Sequence, residues 1–342
     1  MSGYSPASNL TGNLPQSTVI HYDKNFVKNL KAETPFFRVA SRRDLPENSG
    51  NQLRLFMYET LGANTTQATE GTPGTGISVT VADTTPTIGE YADYANFSSL
   101  AIATAIDPVV ENVAKEFGYR LGQSLSAVLR ATADTAHSVD SSVQVQLAAS
   151  STSSYTVLSN SQLRSSTMSL SGRSVLPFDK GMYAGVIHPF AIGDVLADAS
   201  NNSPIDILKH TESGLTALEE MGSVEQAETV EFPSTSISFF KTNLVTTIAN
   251  YQSVTGLTGL RTYIFGEDGL ISVVLKAKGD TALGDGRYQN MLCNVVQNPP
   301  TSVADPEGLI AGWVSYRAKW TASLPPDTTM RMRTIDAASG IS

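Results

Sequence analysis

Four histidines (His21, His137, His188 and His210), one cysteine (Cys293) and a large stock of serine and threonine are the side chains from which this chain could build a catalytic site. The GxSxG turn that exposes a nucleophilic serine does not occur. Abundant serine raises the chance of an accidental Ser–His–Asp grouping rather than the case for a real one. The histidines lie far apart and no HExxH is present, so the spacing of a zinc hydrolase is missing. No GxxxxGK(S/T) phosphate loop occurs, and GTPGTG (71–76) has neither a lysine nor a helix pattern after it. Asp280 and Asp285 lack the alternating acidic positions and closing glutamate of a calcium loop. Cys293, between Leu292 and Asn294, reads as a small core residue. His188 stands at a strand end before Pro189 and reads as structural. His210 closes a short helical turn, where the helix dipole favours it. Arg42-Arg43 is the only adjacent basic pair, either solvated in a turn or set against an acidic neighbour or a nucleic-acid backbone. No cofactor or metal site is expected.

The elements that would position such residues are more informative. Residues 1–20 are rich in Ser, Asn, Gly and Pro and read as an arm. Phe26 and Leu30, four apart, share one face of a short helix limited by Pro35. Residues 42–50 read as a polar turn. Gln52–Leu61 reads as a strand, 62–76 as a Gly/Thr loop, and Ile77, Val79 and Val81 alternate with polar residues as a second strand. Strand, loop and strand make an extended hairpin that needs a surface to lie on. Asp107 and Pro108 then open a long helix, with Val110, Val113, Phe117, Leu121, Leu125 and Val128 on one face and an end near Ala133.

Residues 150–169 hold twelve Ser or Thr in twenty positions and read as a loop with a short strand at Ser154–Leu158. Further strands are expected at Met182–Ile187, Thr229–Phe232, Ser236–Phe240, Leu244–Ile248 and Thr262–Phe265, and a short helix at Phe190–Asp198. Leu309–Leu324 and Thr329–Ile335 read as a final pair, with Pro325-Pro326-Asp327 as their turn. No repeat is visible.

Composition narrows the class. The chain has 342 residues, 41% hydrophobic and only 16% charged, with a formal net charge of −9. Ordinary soluble domains carry about 25% charge, so much of this surface is expected to be covered by partners. A net acidic chain is not built to clamp phosphate by overall charge. One cysteine permits no internal disulfide, Met1–Gln16 carries no signal pattern, and no run of about 20 apolar residues could span a membrane.

This order of parts resembles the major capsid proteins of tailed bacteriophages, whose shared fold is called HK97-like, and the sequence looks closest to their N4-like family. The stretches that carry the resemblance are YDKNFVKNLKAETPF (22–36), RRDLPENSGNQLRLFMY (42–58), IGEYADYANFS (88–98), AIDPVVENVAKEFGYRLG (105–122), YAGVIHPFAIGDVLAD (183–198), PIDILKHTESG (204–214), YIFGEDG (263–269) and ADPEGLIAGWVSYRAKW (304–320). The resemblance implies an α+β fold with an N-terminal arm (1–45), an extended β-hairpin or E-loop (46–100), a peripheral domain with a long spine helix (101–182 and 300–342) and an axial domain (183–299). It implies a structural protein that self-assembles into hexamers and pentamers of an icosahedral head around double-stranded DNA. It implies no catalysis. Assembly in the host bacterial cytoplasm, with portal, scaffolding and decoration proteins as partners and no membrane, follows from the same resemblance. Only about 20 residues precede the first shared stretch, so any scaffold is expected to be a separate protein.

On this reading the intersubunit contacts are Phe26, Leu30, Arg42, Arg43, Leu55, Phe56, Tyr58, Thr69, Pro73, Ile77 and Val79. The competing readings are an encapsulin-like nanocompartment with the same fold, a β-rich surface protein, and a hydrolase whose site assembles in space.

Overall fold

In the computed structural model, the residues described are 34–46, 48–58, 61, 63–65, 67, 71, 76–104, 109–139, 144–145, 156–178, 181–196, 229–232, 235–275, 291–297, 310–326 and 331–338. In chain order the elements are α1 (Pro35–Val39), β1 (Ser41–Leu45), β2 (Leu55–Tyr58), β3 (Val81–Thr84), β4 (Gly89–Ser98), α2 (Ser99–Thr104), α3 (Val109–Val139), β5 (Gln144–Val145) and α4 (Asn160–Gly172). There follow β6 (Tyr183–Ile187), α5 (Pro189–Leu196), β7 (Thr229–Phe232), β8 (Ile237–Lys241), β9 (Thr247–Ala249), β10 (Thr258–Phe265), β11 (Ile271–Leu275), β12 (Met291–Gln297), β13 (Ile310–Ser323) and β14 (Met332–Ala338).

Helix α3 has 31 residues and, at 1.5 Å per residue, is about 46 Å long. It runs six residues past the expected end at Ala133. Its fully buried stripe is Ala114, Leu121, Leu125, Leu129, Ala133 and Ala136, with Phe117 nearly so. Val110, Val113 and Val128 flank it, half-buried against the same core. The expected capping pair Asp107 and Pro108 lies outside the described residues.

Two sheets receive this helix. In the five-stranded sheet, β13 is the hub. Strand β4 covers one edge of β13 from Ile310 to Trp320, while β12 and then β11 cover the other, and β1 joins β11 in parallel. The alternate residues Val314, Tyr316, Ala318 and Trp320 turn inward to α3, where Phe117 meets Tyr316 edge-on at 5.4 Å between ring centroids. The seven-stranded sheet runs β5-β14-β10-β6-β8-β7, with β9 also on β10.

At β10 the seven-stranded sheet is buried on both faces, which is why this strand is buried almost continuously rather than alternately. Tyr263 and Phe265 point into the core shared with α1 and α3, and Ile264 points into a second core under α4 and α5. Gly185 in β6 is held by this crowding. A Cβ there would lie 2.4 Å from the Phe239 ring and 2.8 Å from the Tyr263 carbonyl oxygen. Gly185→Ala is therefore expected to cost about 1–3 kcal/mol through overpacking, read as a lower midpoint in chemical unfolding.

Several expectations need correction. Residues 41–45 form a strand rather than a turn, and Phe36 and Phe37, placed in the arm, are core residues. Pro35 opens helix α1, while the expected helix before it, with Phe26 and Leu30, lies outside the described residues. Strand β4, assigned to the hairpin, belongs to the five-stranded sheet. So do β11 and β12, which fell in the expected axial segment. Strands β13 and β14 are not a pair, because both edges of β13 are already occupied, and β14 pairs with β10 instead.

From Asn160 onward the Ser-rich stretch is helix α4. Its buried positions Asn160, Leu163, Ser166, Thr167 and Leu170 keep helical spacing, and the Ser159 N–H donates to Gln162 Oε1 at 2.9 Å. The hydroxyls that hid the helix fold back on its own carbonyls, Ser166 Oγ to Gln162 O and Thr167 Oγ1 to Arg164 O. Among the described residues, no helix is long and apolar enough to cross a membrane.

Candidate functional site

The least self-sufficient part of the fold is the two-stranded ribbon β2/β3. Leu55 to Tyr58 pair antiparallel with Thr84 to Val81, and a bridge from Gln52 to Thr87 closes the base. Alternation along β2 gives the ribbon two faces. Leu55 and Met57 turn toward their own chain. Leu53, Leu55 and Ile88 pack on Leu45, Ile271 and Val273, and Arg331 Nη2 reaches Met57 Sδ at 3.2 Å. The other face carries Phe56 and Tyr58, which are 62% and 63% exposed and touch each other edge-on with centroids 6.1 Å apart. Val81, opposite Tyr58, extends this face, and Arg54 pairs with Asp83 at its base at 3.0 Å.

The second hairpin strand starts only at Val81, not at Ile77. Residues 77–80 are all exposed and lie outside the strand. Ile77 and Val79 still stand out in solvent, at 63% and 51% exposure, next to the ribbon. A row of Phe56, Tyr58, Ile77, Val79 and Val81 in water is a surface that folding of one copy leaves unburied.

The remaining expected contact residues separate into three groups. Phe26, Leu30, Thr69 and Pro73 lie outside the described residues. Leu55 is half-buried on its own chain. Arg43 donates both contacts of a bidentate pair to Asp268, at 2.9 and 3.0 Å, and Arg42 pairs with Asp44, so the acidic neighbour of Arg43 belongs to this same chain.

Of the chemistry-bearing residues singled out in the sequence, His188 has a structural part. His188 caps α5: its Nδ1 accepts the Phe190 N–H at 3.1 Å, and burial pushes its pKa below the ordinary value. His21, His210, Asp280 and Asp285 lie outside the described residues, as does the Cys293 side chain. An open cleft of 570 Å³ beside α4 is lined by Met168, Ser171, Leu176 and Tyr183. Its Tyr183 hydroxyl already bonds the Val175 carbonyl oxygen and lies 3.1 Å from Ser171 Oγ.

One cluster escaped the sequence reading. Arg261 in β10 spans two carboxylates: Nε and Nη2 hold Asp336 at 2.7 and 2.9 Å, and Nη1 holds Asp134 at 2.9 Å. Asp134 also accepts from Tyr263 and Thr246. His137 lies beside them, between Arg261 and Thr334. Burial and the Asp134 carboxylate push the Tyr263 phenol far up, so it stays a neutral donor. Its members bond one another, and the cluster fastens α3 to the seven-stranded sheet.

No family model matches the chain, and no curated protein matches it in sequence. Solved structures do match. The capsid of Ralstonia phage GP4 is similar with a TM-score of 0.63 at 9% identity, over 88% of this chain and 87% of that one. The capsid of Helicobacter pylori bacteriophage KHP30 follows at 0.59 and 8% identity, over 90% and 91%. The capsid of cyanophage Pam1 gives 0.56 at 9% identity, over 86% and 87%. The chain therefore has the fold of phage capsid proteins, the HK97-like fold. The likeness runs over nearly the whole of both chains.

Proposed function

We propose that this chain is the major capsid protein of a bacteriophage, building an icosahedral head from copies of itself. The observation that carries this is the match in fold to phage capsids over almost nine-tenths of the chain. The exposed apolar face of the β2/β3 ribbon supports it, since a capsid subunit must leave surface for its neighbours. The ribbon is then the E-loop, lying across an adjacent copy through Phe56, Tyr58, Ile77, Val79 and Val81, with Thr69 and Pro73 in its tip. The segment that holds Phe26 and Leu30 reaches a second neighbour. Helix α3 is the spine helix.

The role is structural rather than catalytic, and each contact is modest. Closure of the lattice supplies avidity. Capsomers of six and five copies, portal and scaffolding partners, packaged double-stranded DNA held without base-specific contacts and membership of the N4-like group belong to the same proposal. So does location in the virion after assembly in the host cytoplasm.

Contents test the reading. Particles purified from infected cells are expected to protect double-stranded DNA from nuclease. Particles filled with a protein cargo and free of DNA would instead establish a nanocompartment shell.

A further inference from the structure

The His137 site has a feature that ordinary buried ion pairs lack. Arg261 Nη2 lies 2.8 Å from His137 Nε2. A guanidinium only donates, so Nε2 must present its lone pair. The imidazole proton therefore sits on Nδ1 and is donated to Thr334 Oγ1 at 2.6 Å. We propose that His137 is a proton-operated latch: uncharged, it joins the last turns of α3 to β10 and β14 through Arg261 and Thr334, and a proton on Nε2 breaks that joint.

The groups facing His137 decide the outcome. Asp134 lies on its own helix. Arg261 and Tyr263 come from β10, and Asp336 comes from β14 with Thr334. Tyr251 bonds the Asp336 carbonyl oxygen, and Gln144 of β5 donates to the His137 carbonyl oxygen at 2.8 Å. By charge count, two carboxylates against one guanidinium would welcome a proton. Geometry opposes it. A protonated Nε2 would point its hydrogen at a guanidinium N–H. The Asp336 Oδ2 acceptor is 3.5 Å away and already held by Arg261. Burial first and the Arg261 charge second hold the His137 pKa below its usual value, against the pull of both aspartates.

The sign follows. The unfolded chain binds the proton more readily than the folded one, so this stabilisation is complete above about pH 6.5 and fades as pH falls toward the lowered folded value. His188 is lowered as well and adds its own acid loss.

The test uses the full chain labelled with 15N-histidine and a His137→Gln variant. Gln can accept from Arg261 and donate to Thr334 but cannot titrate. Magic-angle-spinning NMR of the wild type, with the resonance assigned by its loss in the variant, is expected to show the Nδ1-protonated tautomer at pH 7.5. Conversion to imidazolium is expected only below pH 6.5. Hydrogen exchange over 131–139, corrected for intrinsic rates, is expected to rise between pH 7 and 5 in the wild type and to stay level in His137→Gln. An Nε2-protonated tautomer, conversion at or above pH 6.5, or equal opening in both proteins would overturn the latch. If the variant does not fold, the wild-type tautomer and titration still decide.

Discussion

Replacing Phe56 and Tyr58 together by aspartate is expected to leave the chain folded and to stop the assembly proposed for it. Both side chains stand in water in the single chain, more than 60% exposed, and their rings meet edge-on. The fold loses nothing large when they go. At an interface, each is worth about 1.5–3 kcal/mol when fully buried, so two per copy weaken a contact by roughly 3–6 kcal/mol. At about 1.4 kcal/mol per tenfold, that is roughly two to four orders of magnitude at every contact. A closed shell repeats the loss at each copy. Sedimentation velocity should show small species where the wild type gives particles, with an unchanged thermal midpoint. Particles of normal size and yield would refute the role given to this face.

Arg261→Met is expected to be the most damaging single change away from the hydrophobic core. Arg261 is only 11% exposed in its side chain and is shared by Asp134 and Asp336. Removing it leaves two carboxylates facing each other across a mostly buried site, and breaking such a pair costs about 3–5 kcal/mol. At about 2.1 cal/mol/K of unfolding entropy per residue, a chain of 342 residues moves its midpoint by about 1.4 °C per kcal/mol, so a fall of about 4–7 °C is expected in a thermal scan. Arg261→Lys should rescue little, because one ammonium cannot span two carboxylates as the planar guanidinium does. Replacing Asp134 and Asp336 by Asn in the Arg261→Met background should recover part of the loss. A fall below about 2 °C would mean that the cluster is solvated and carries little.

These two sites differ in how far they could be read in advance. The apolar ribbon was legible because alternation and an unanchored loop are local signals, and so was α3, whose stripe keeps spacings of three and four throughout. The cluster was not, because Arg261 lies 127 positions from Asp134 and 75 from Asp336. The available hint was charge inside two strands with many buried positions, Arg261 in TGLRTYIF and Arg333 and Asp336 in MRTIDAA. Helix α4 was hidden by its serines, whose weak helical preference masked Leu163 and Leu170 on one face. Strand β1 was hidden by Arg42, Arg43 and Asp44, charges that a strand tolerates where one face meets solvent. The partner of β14 depended on which strand edges were still open, a tertiary fact that the Pro-Pro turn before it could not report.

Electron microscopy of the purified, expressed chain tests the central claim most directly. Closed icosahedral shells, or hexameric rings on the way to them, are the predicted result. A monomer that stays monodisperse in light scattering at high concentration, with its hairpin ordered, would contradict it.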